Sequence, residues 1–197
     1  MPKLHGSMSD HAKSSRQGSL AQERGRAFEN AIIATAWAYE RARLLVLRKV
    51  DPPMFVTRIA GRVIARPKRS QFLDFVGAWT ERGGRAVIIE AKSIKQAVLP
   101  LLTDRGLKQS QWDSLRVWHW SGAMVAVLWR HSGGVVWIAY DQLRAAIDAG
   151  SASFPARDGH AVAVDWARDR VEFLPVLRAL ADGKAAENVA TLTETQD

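Results

Sequence analysis

Apolar residues recur along this chain with two different spacings, and the spacing predicts which segments are helices and which are strands. In residues 24–43 they recur every three to four positions, which is typical of an amphipathic helix, and residues 107–120 and 142–149 also indicate helices. Short runs rich in Val, Ile, Phe and Trp predict strands over 44–50, 54–64, 71–79, 85–92, 123–130, 135–140, 162–166 and 170–174. The segment 54–64 is either one strand or a hairpin that turns at Ala60 and Gly61. This order of elements predicts an α/β domain with a mixed sheet flanked by helices.

Neither end of the chain keeps this periodicity. Residues 1–22 are rich in Ser, Gly, Lys and His, and residues 182–197 hold four acids against one lysine. We therefore expect flexible tails at 1–22 and 182–197. Between them, residues 23–181 are expected to form one domain, which is long enough to bury a substantial core.

The composition excludes several kinds of site. The chain has no cysteine, so disulfides, thiolate zinc sites, iron–sulfur clusters and cysteine nucleophiles are excluded. His119 and His131 have no partner at metal-ligand spacing, and histidine catalysis is not expected. No apolar run approaches the roughly 20 residues that span a bilayer. We expect a soluble, cytoplasmic protein with no membrane partner.

The charge of the chain is concentrated in one segment. There are 28 Lys and Arg residues against 20 Asp and Glu, which gives a net charge of +8 and indicates a polyanionic partner. Residues 41–69 contain nine basic residues and a single acid, Asp51. These bases alternate with Val, Ile and Phe, which predicts strands with one face packed and the other facing phosphates. A solvated basic face without a partner is the alternative interpretation.

The strands 71–79 and 85–92 form a predicted hairpin that brings acidic residues together. If the turn is centred at Arg82, Asp74 lies directly opposite Glu90, and Lys92 shares the face of Glu90 because side chains alternate along a strand. A cross-strand salt bridge would explain the lysine and one acid, but it leaves two carboxylates facing each other. A divalent cation such as Mg²⁺ or Mn²⁺ removes that repulsion, binds a phosphate and lowers the pKa of a bound water. The sequence therefore favours a metal site.

Asp74, fifteen intervening residues and residues 90–92 (EAK) resemble the PD-(D/E)XK nuclease signature, with Leu73 in the place of its proline. Glu29 in the first helix and Gln111 in the helix after the lysine match further positions of that superfamily. The chain also resembles the RecU-type Holliday-junction resolvases. This resemblance runs from about residue 24 to residue 143, through residues 25–29 (GRAFE), 49–53 (KVDPP), 74–77 (DFVG), 90–92 and 111–122.

The resemblance implies a restriction-endonuclease-like core with a basic β stalk at residues 54–70 that enters the junction. It implies that Asp74, Glu90 and the carbonyl of Ala91 bind Mg²⁺ or Mn²⁺. Lys92 would be the catalytic lysine, Glu29 would bind the metal directly or through water, and Gln111 would support the site. The residues expected to contact DNA are Arg58, Arg62, Arg66, Lys68, Arg69, Lys95 and Lys108.

The function implied by the resemblance is the symmetric nicking of four-way DNA junctions by a homodimer in recombination and repair, encoded by a bacterium or a phage. Two other functions stay open: a nuclease of the same fold that acts on duplex DNA or DNA ends, and a non-catalytic nucleic-acid-binding protein. The second has no need of two opposed acids. Trp112, Trp118 and Trp120 either stack on unpaired bases or belong to a core or a dimer interface.

Overall fold

A seven-stranded mixed sheet with helices on both faces organises the chain. The computed structural model describes residues 8–51, 54–59, 62–67 and 73–183. The helices are α1 (Met8–Arg41), α2 (Gln109–Trp120), α3 (Tyr140–Asp148) and α4 (Leu174–Ala181). The strands are β1 (Val46–Lys49), β2 (Met54–Ile59), β3 (Arg62–Pro67), β4 (Phe75–Trp79), β5 (Arg85–Ser93), β6 (Val98–Pro100), β7 (Met124–His131), β8 (Gly134–Ala139), β9 (Ser153–Pro155), β10 (His160–Asp165) and β11 (Arg170–Glu172). The predicted mixed α/β architecture is confirmed.

The order of strands in the main sheet is β1-β4-β5-β7-β8-β10-β11. Strands β5 and β7 are parallel, and the other neighbouring pairs are antiparallel. A parallel pair needs a crossover connection, and the segment between β5 and β7 that contains α2 provides it. Strand β5 is therefore central, with a parallel neighbour on one side and the antiparallel β4 on the other.

The core has two halves, one on each face of the sheet. On one face α1 and α4 cover Val87 and Ile89, and on the other face α2 and α3 lie over a cluster that contains Ile88. All three of these β5 side chains are fully buried. A strand covered on both faces is apolar at consecutive positions rather than alternating, which explains the run Ala-Val-Ile-Ile that precedes Glu90.

The pairing of β1 with β4 depends on a glycine. Gly77 lies opposite Leu47, and a Cβ atom at residue 77 would stand 1.9 Å from the carbonyl oxygen of Val46. No side chain fits there, because this distance is far below any van der Waals contact. The glycine lets β1 approach β4 and so places Lys49, at the end of β1, beside the start of β4.

Helix α1 begins earlier than the sequence predicts. Its expected start is residue 24, but the structure has it from Met8, so residues 8–22 are helical where a flexible tail was expected. Residues 18–22 are exposed. The apolar periodicity marks only the part of a helix that packs on the core, whereas extending a formed helix costs little per residue. The periodicity therefore gave too short a helix.

Other boundaries also differ from the prediction. Strand β4 begins at Phe75 rather than residue 71, and the strand predicted over 170–174 ends at Glu172, because Leu174 starts α4. Helix α4 and the short pair β6 and β9 were not predicted. Each is eight residues or fewer, too short to show a period. The expected C-terminal tail lies outside the described residues from residue 184 onwards.

Strands β2 and β3 form a separate two-stranded sheet, so the hairpin alternative for residues 54–64 is confirmed, although the turn itself at 60–61 lies outside the described residues. Arg58 and Arg62 are exposed. Arg58 pairs with Val63 and Arg62 with Ile59, so the two arginines lie on opposite faces of the hairpin. Within the described parts of the chain, no helix is long and apolar enough to cross a membrane.

Candidate active site

The β4–β5 hairpin has the register that the sequence predicts. Phe75 pairs with Ile89 and Trp79 with Arg85, so the next step of the ladder sets Asp74 beside Glu90. Asp74 lies just before β4, and its Oδ2 accepts a hydrogen bond of 2.8 Å from the backbone N–H of Ala91. Its own carbonyl accepts a hydrogen bond of 2.8 Å from Val50 N–H. The position of the Asp74 carboxyl is thus fixed by backbone contacts to β5 and to the end of β1.

Glu90 is a buried carboxyl group with one satisfied and one unsatisfied oxygen. Only 1 % of the residue is exposed. Its Oε1 accepts a hydrogen bond from Gln111 Nε2 and forms an ion pair of 2.9 Å with Lys92 Nζ. Its Oε2 is buried and has no hydrogen-bond partner among the described residues. A buried, unpaired carboxylate oxygen is costly to keep, so this atom calls for a functional explanation.

The two carboxyl groups have perturbed acidities. Burial raises the pKa of Glu90 to about 8; Lys92 opposes this shift and Asp74 adds to it. Burial also raises the pKa of Asp74, against the hydrogen bond from the Ala91 N–H. Both groups therefore hold a proton more readily than exposed carboxyl groups do, although Lys92 lies beside them. An added cation would favour the ionised form of both groups.

Gln111 connects Lys92, Glu90 and the start of α2. Its Oε1 accepts hydrogen bonds from Lys92 Nζ (2.8 Å) and from the backbone N–H of Lys108 (3.1 Å). Because the Lys108 N–H can only donate, the amide oxygen faces it and the amide nitrogen faces Glu90. The N-terminal turn of α2 thus orients the glutamine, which holds Glu90 and Lys92 together.

Glu29 is paired with a lysine that the sequence analysis did not assign to the site. Lys49 Nζ lies 2.7 Å from Glu29 Oε2, and this contact is the main reason that the pKa of Lys49 is raised. Asp51 and Asp74 add to the same effect. In the sequence Lys49 belongs to the basic run and to the motif at residues 49–53, and neither assigns it to the site. Its role depends on the β1–β4 pairing, which a local pattern does not reveal.

The donor set fits a hard divalent cation held by two carboxylates. Among the described residues no group of three or more His, Asp or Glu side chains is placed to hold a metal ion. The structure thus brings Asp74 and Glu90 together but does not add Glu29 to them as a third ligand. Mg²⁺ is often held by only one or two carboxylates, with water and phosphate completing its shell. The unpaired Oε2 of Glu90 is the available oxygen that such an ion requires.

The residues expected to contact DNA are spread over three places. Lys95 follows β5, Lys108 precedes α2, and both are exposed, like Arg58 and Arg62 in the β2–β3 hairpin. Arg66 lies in β3, and Lys68 and Arg69 lie outside the described residues.

The structure assigns one of the three tryptophans to the core and leaves the other two exposed. Trp112 is 6 % exposed and stacks on Tyr140 at 5.0 Å, so it belongs to the core. Trp118 and Trp120 are 38 % and 69 % exposed. The ring of His119 stacks on the same Tyr140, with the ring centroids 4.0 Å apart. This packing gives the histidine a structural role.

Comparisons with known proteins give a partial likeness to solved structures. No family model matches the chain, and no curated protein matches it. Among solved structures, the chain is similar to Hjc, a Holliday junction resolvase of the archaeal hyperthermophile Archaeoglobus fulgidus, with 16% sequence identity and a TM-score of 0.38. The match covers 59% of this chain and 78% of that chain.

Proposed function

We propose that this protein is a metal-dependent endodeoxyribonuclease with a restriction-endonuclease-like core. The observation that carries this proposal is a pair of opposed carboxyl groups, the buried Glu90 and the half-buried Asp74, with one Glu90 oxygen unpaired and Lys92 beside it. A salt bridge alone would satisfy Glu90 through Lys92 and would have no need of Asp74. A purely structural pair of opposed acids is destabilising, so selection for stability would replace one of them.

Asp74 and Glu90 would hold Mg²⁺ or Mn²⁺, with the Ala91 carbonyl as a third ligand. When bound, such an ion neutralises phosphate charge and increases the acidity of water. In this proposal Glu29 acts on the site through water, because its carboxylate is already paired with Lys49.

Lys92 is the residue of this chain that places a positive charge beside the two carboxyl groups. Its Nζ is held between Glu90 Oε1 (2.9 Å) and Gln111 Oε1 (2.8 Å), and its side chain is 14 % exposed. An ammonium group fixed by two acceptors needs no reorganisation when negative charge develops on a phosphate oxygen. Lys92 thus binds the scissile phosphate and stabilises its charge during hydrolysis, and Gln111 keeps the lysine in position.

We further propose that the DNA is branched, with a four-way junction as the substrate and a homodimer as the active form. The support is the resemblance to RecU-type resolvases, together with the basic β2–β3 hairpin. That hairpin leads into the site, because the chain between Lys49 and Asp74 contains it. Its exposed Arg58 and Arg62 lie on opposite faces. A hairpin that is basic on both faces suits insertion between two DNA arms better than binding along one duplex.

The experiment that tests this function compares labelled four-way junctions with linear duplex of the same sequence, in Mg²⁺, Mn²⁺ or EDTA. The variants are Asp74→Asn and Lys92→Gln, and the matched control is Asp148→Asn, an exposed carboxylate on α3. We expect paired, symmetric nicks confined to the junction and dependent on metal. Lys92→Gln should slow cleavage by about 10²–10³-fold, as for loss of one preorganised charge donor. Asp74→Asn should abolish cleavage and retain binding.

Each other outcome decides against part of the proposal. Equal cutting of linear duplex would support a nuclease without junction selectivity. Metal-independent binding with no cutting by the wild-type protein would support a non-catalytic DNA-binding protein. Cutting that survives in Asp74→Asn at the wild-type rate would remove the carboxylate pair from the active site.

A further inference from the structure

A groove of about 270 Å³ lies between the first half of α1 and the ends of β5 and β7. It is lined by Arg24, Ser93, Lys95, Arg130, His131 and Ser132. None of these lining residues is acidic. Of these six lining residues, only Lys95 is predicted from the sequence to contact DNA. None of them belongs to the candidate active site.

Backbone hydrogen bonds beyond the regular β5–β7 ladder build the groove. Ile94 N–H donates to the Arg130 carbonyl (3.0 Å), and Ser132 N–H donates to the Lys95 carbonyl (3.1 Å). The Arg130 guanidinium lies over the ring of Trp166, 4.3 Å from its centroid. A stacked guanidinium is held in one orientation and keeps its N–H donors free in the ring plane. The lining is therefore a formed surface.

Among the described residues, no neighbouring carboxylate neutralises the three cations of the groove. Arg24, Lys95 and Arg130 make no ion pair with any residue in the described part of the chain. Some other surface arginines do have such a partner, as Arg144 has Asp148 and Arg178 has Glu81. A concave surface lined by one sign of charge attracts an oppositely charged ligand.

His131 adds a neutral donor to the same surface. Its Nδ1 accepts a hydrogen bond of 3.1 Å from Gly133 N–H, and burial lowers its pKa. With Nδ1 as the acceptor, the neutral ring carries its proton on Nε2. Ser93 and Ser132 contribute hydroxyl groups. Together with three cations, these neutral donors form the set that binds phosphate oxygens.

We propose that this groove binds the DNA backbone on one side of the cleaved phosphate. The inference rests on the proposed function and gives the nuclease a second, non-catalytic contact with its substrate. The elements that hold the active site also lead to the groove. Ser93 follows Glu90 by three residues, about 10 Å along a strand, and Arg24 precedes Glu29 by five, about 7.5 Å along a helix. At about 3.4 Å per nucleotide, the contacted phosphates lie roughly two to three nucleotides from the cut.

The test measures DNA binding in EDTA, where no cleavage occurs, at several salt concentrations. The variant is Lys95→Gln/Arg130→Gln, and the charge-matched control is Arg144→Gln/Arg157→Gln, two exposed arginines outside the groove. Removal of two phosphate contacts should reduce the slope of log K against log salt by about 1.8. We expect the control to keep the wild-type slope and both variants to keep the wild-type thermal unfolding transition.

A second measurement locates the contact. Single uncharged methylphosphonates are placed in turn along the DNA strand, and binding is measured for the wild type and the groove variant. A position roughly two to three nucleotides from the cut should weaken wild-type binding and leave the variant unaffected. An unchanged salt slope in the groove variant, or equal sensitivity of both proteins at every position, would overturn the inference. If the wild type never cleaves DNA but the groove variant has a reduced salt slope, the groove binds DNA and the proposed nuclease function is wrong.

Discussion

Because the carboxyl group of Glu90 is buried, we predict that this residue lowers the stability of the folded protein as the pH rises, although it serves the proposed function. The protein keeps a carboxyl group in a site where its pKa is raised from 4.5 to about 8. For an acid whose pKa is higher in the folded state, the folded protein binds the proton more tightly than the unfolded chain. Stability is then greatest below pH 4.5, falls as pH rises towards about 8, and stays low above it.

The change Glu90→Gln removes this dependence and keeps the shape of the side chain. The amide oxygen can accept the hydrogen bonds from Lys92 and Gln111 that Oε1 now accepts. The amide nitrogen takes the place of the unpaired Oε2, beside Asp74, and can donate to it. Each pKa unit corresponds to about 1.4 kcal/mol, so the free energy of unfolding of the variant should exceed that of the wild type by up to about 5 kcal/mol at alkaline pH.

The assay is urea unfolding in EDTA over a pH series from about 5 to 9. In thermal unfolding, a gain of this size would raise Tm by on the order of 10 °C. Asp148→Asn is the control, because it makes the same carboxyl-to-amide change at an exposed site. The difference between Glu90→Gln and wild type should be small at the acid end and grow with pH. The prediction is wrong if Glu90→Gln is less stable than wild type at every pH. It is also wrong if the difference in free energy of unfolding between the two proteins does not change with pH. Glu90 would then be an ordinary stabilising partner of Lys92.

Three further predictions follow from other contacts. Gly77→Ala should lower the free energy of unfolding by about 3 kcal/mol, measured by urea unfolding, because its Cβ would meet the Val46 carbonyl at 1.9 Å; wild-type stability would show that β1 can move away. Tyr39→Phe should lower the free energy of unfolding by about 1–3 kcal/mol in the same assay, because the buried hydroxyl donates a hydrogen bond of 2.8 Å to Glu172. An unchanged unfolding midpoint would contradict this. Added Mg²⁺ should stabilise the wild type by about 1.4 kcal/mol at tenfold its Kd, whereas Asp74→Asn should show no such gain by thermal unfolding; equal gains in both would place the ion elsewhere.

The sequence alone determined the elements whose signals are local. Two strand-like runs separated by a short turn at residues 80–84 fixed the register, and the structure has Gly83 and Gly84 of that turn in the left-handed region (φ +67° and +81°). A hairpin register depends only on the turn between the strands, so the meeting of Asp74 and Glu90 could be predicted. Local signals also gave the β2–β3 hairpin as one of two alternatives, together with the mixed α/β order of the elements.

Which distant residues join that hairpin depends on the packing of helices and strands that are far apart in the chain. Gln111 reaches Glu90 because the first turn of α2 lies against β5, and Lys49 reaches Glu29 because Gly77 lets β1 approach β4. The groove brings Arg24 and Arg130 together from positions more than a hundred residues apart. These contacts arise from how packed layers meet, and no residue period carries that information. Local periodicity thus predicted the carboxylate pair, and packing assembled the groups that surround it.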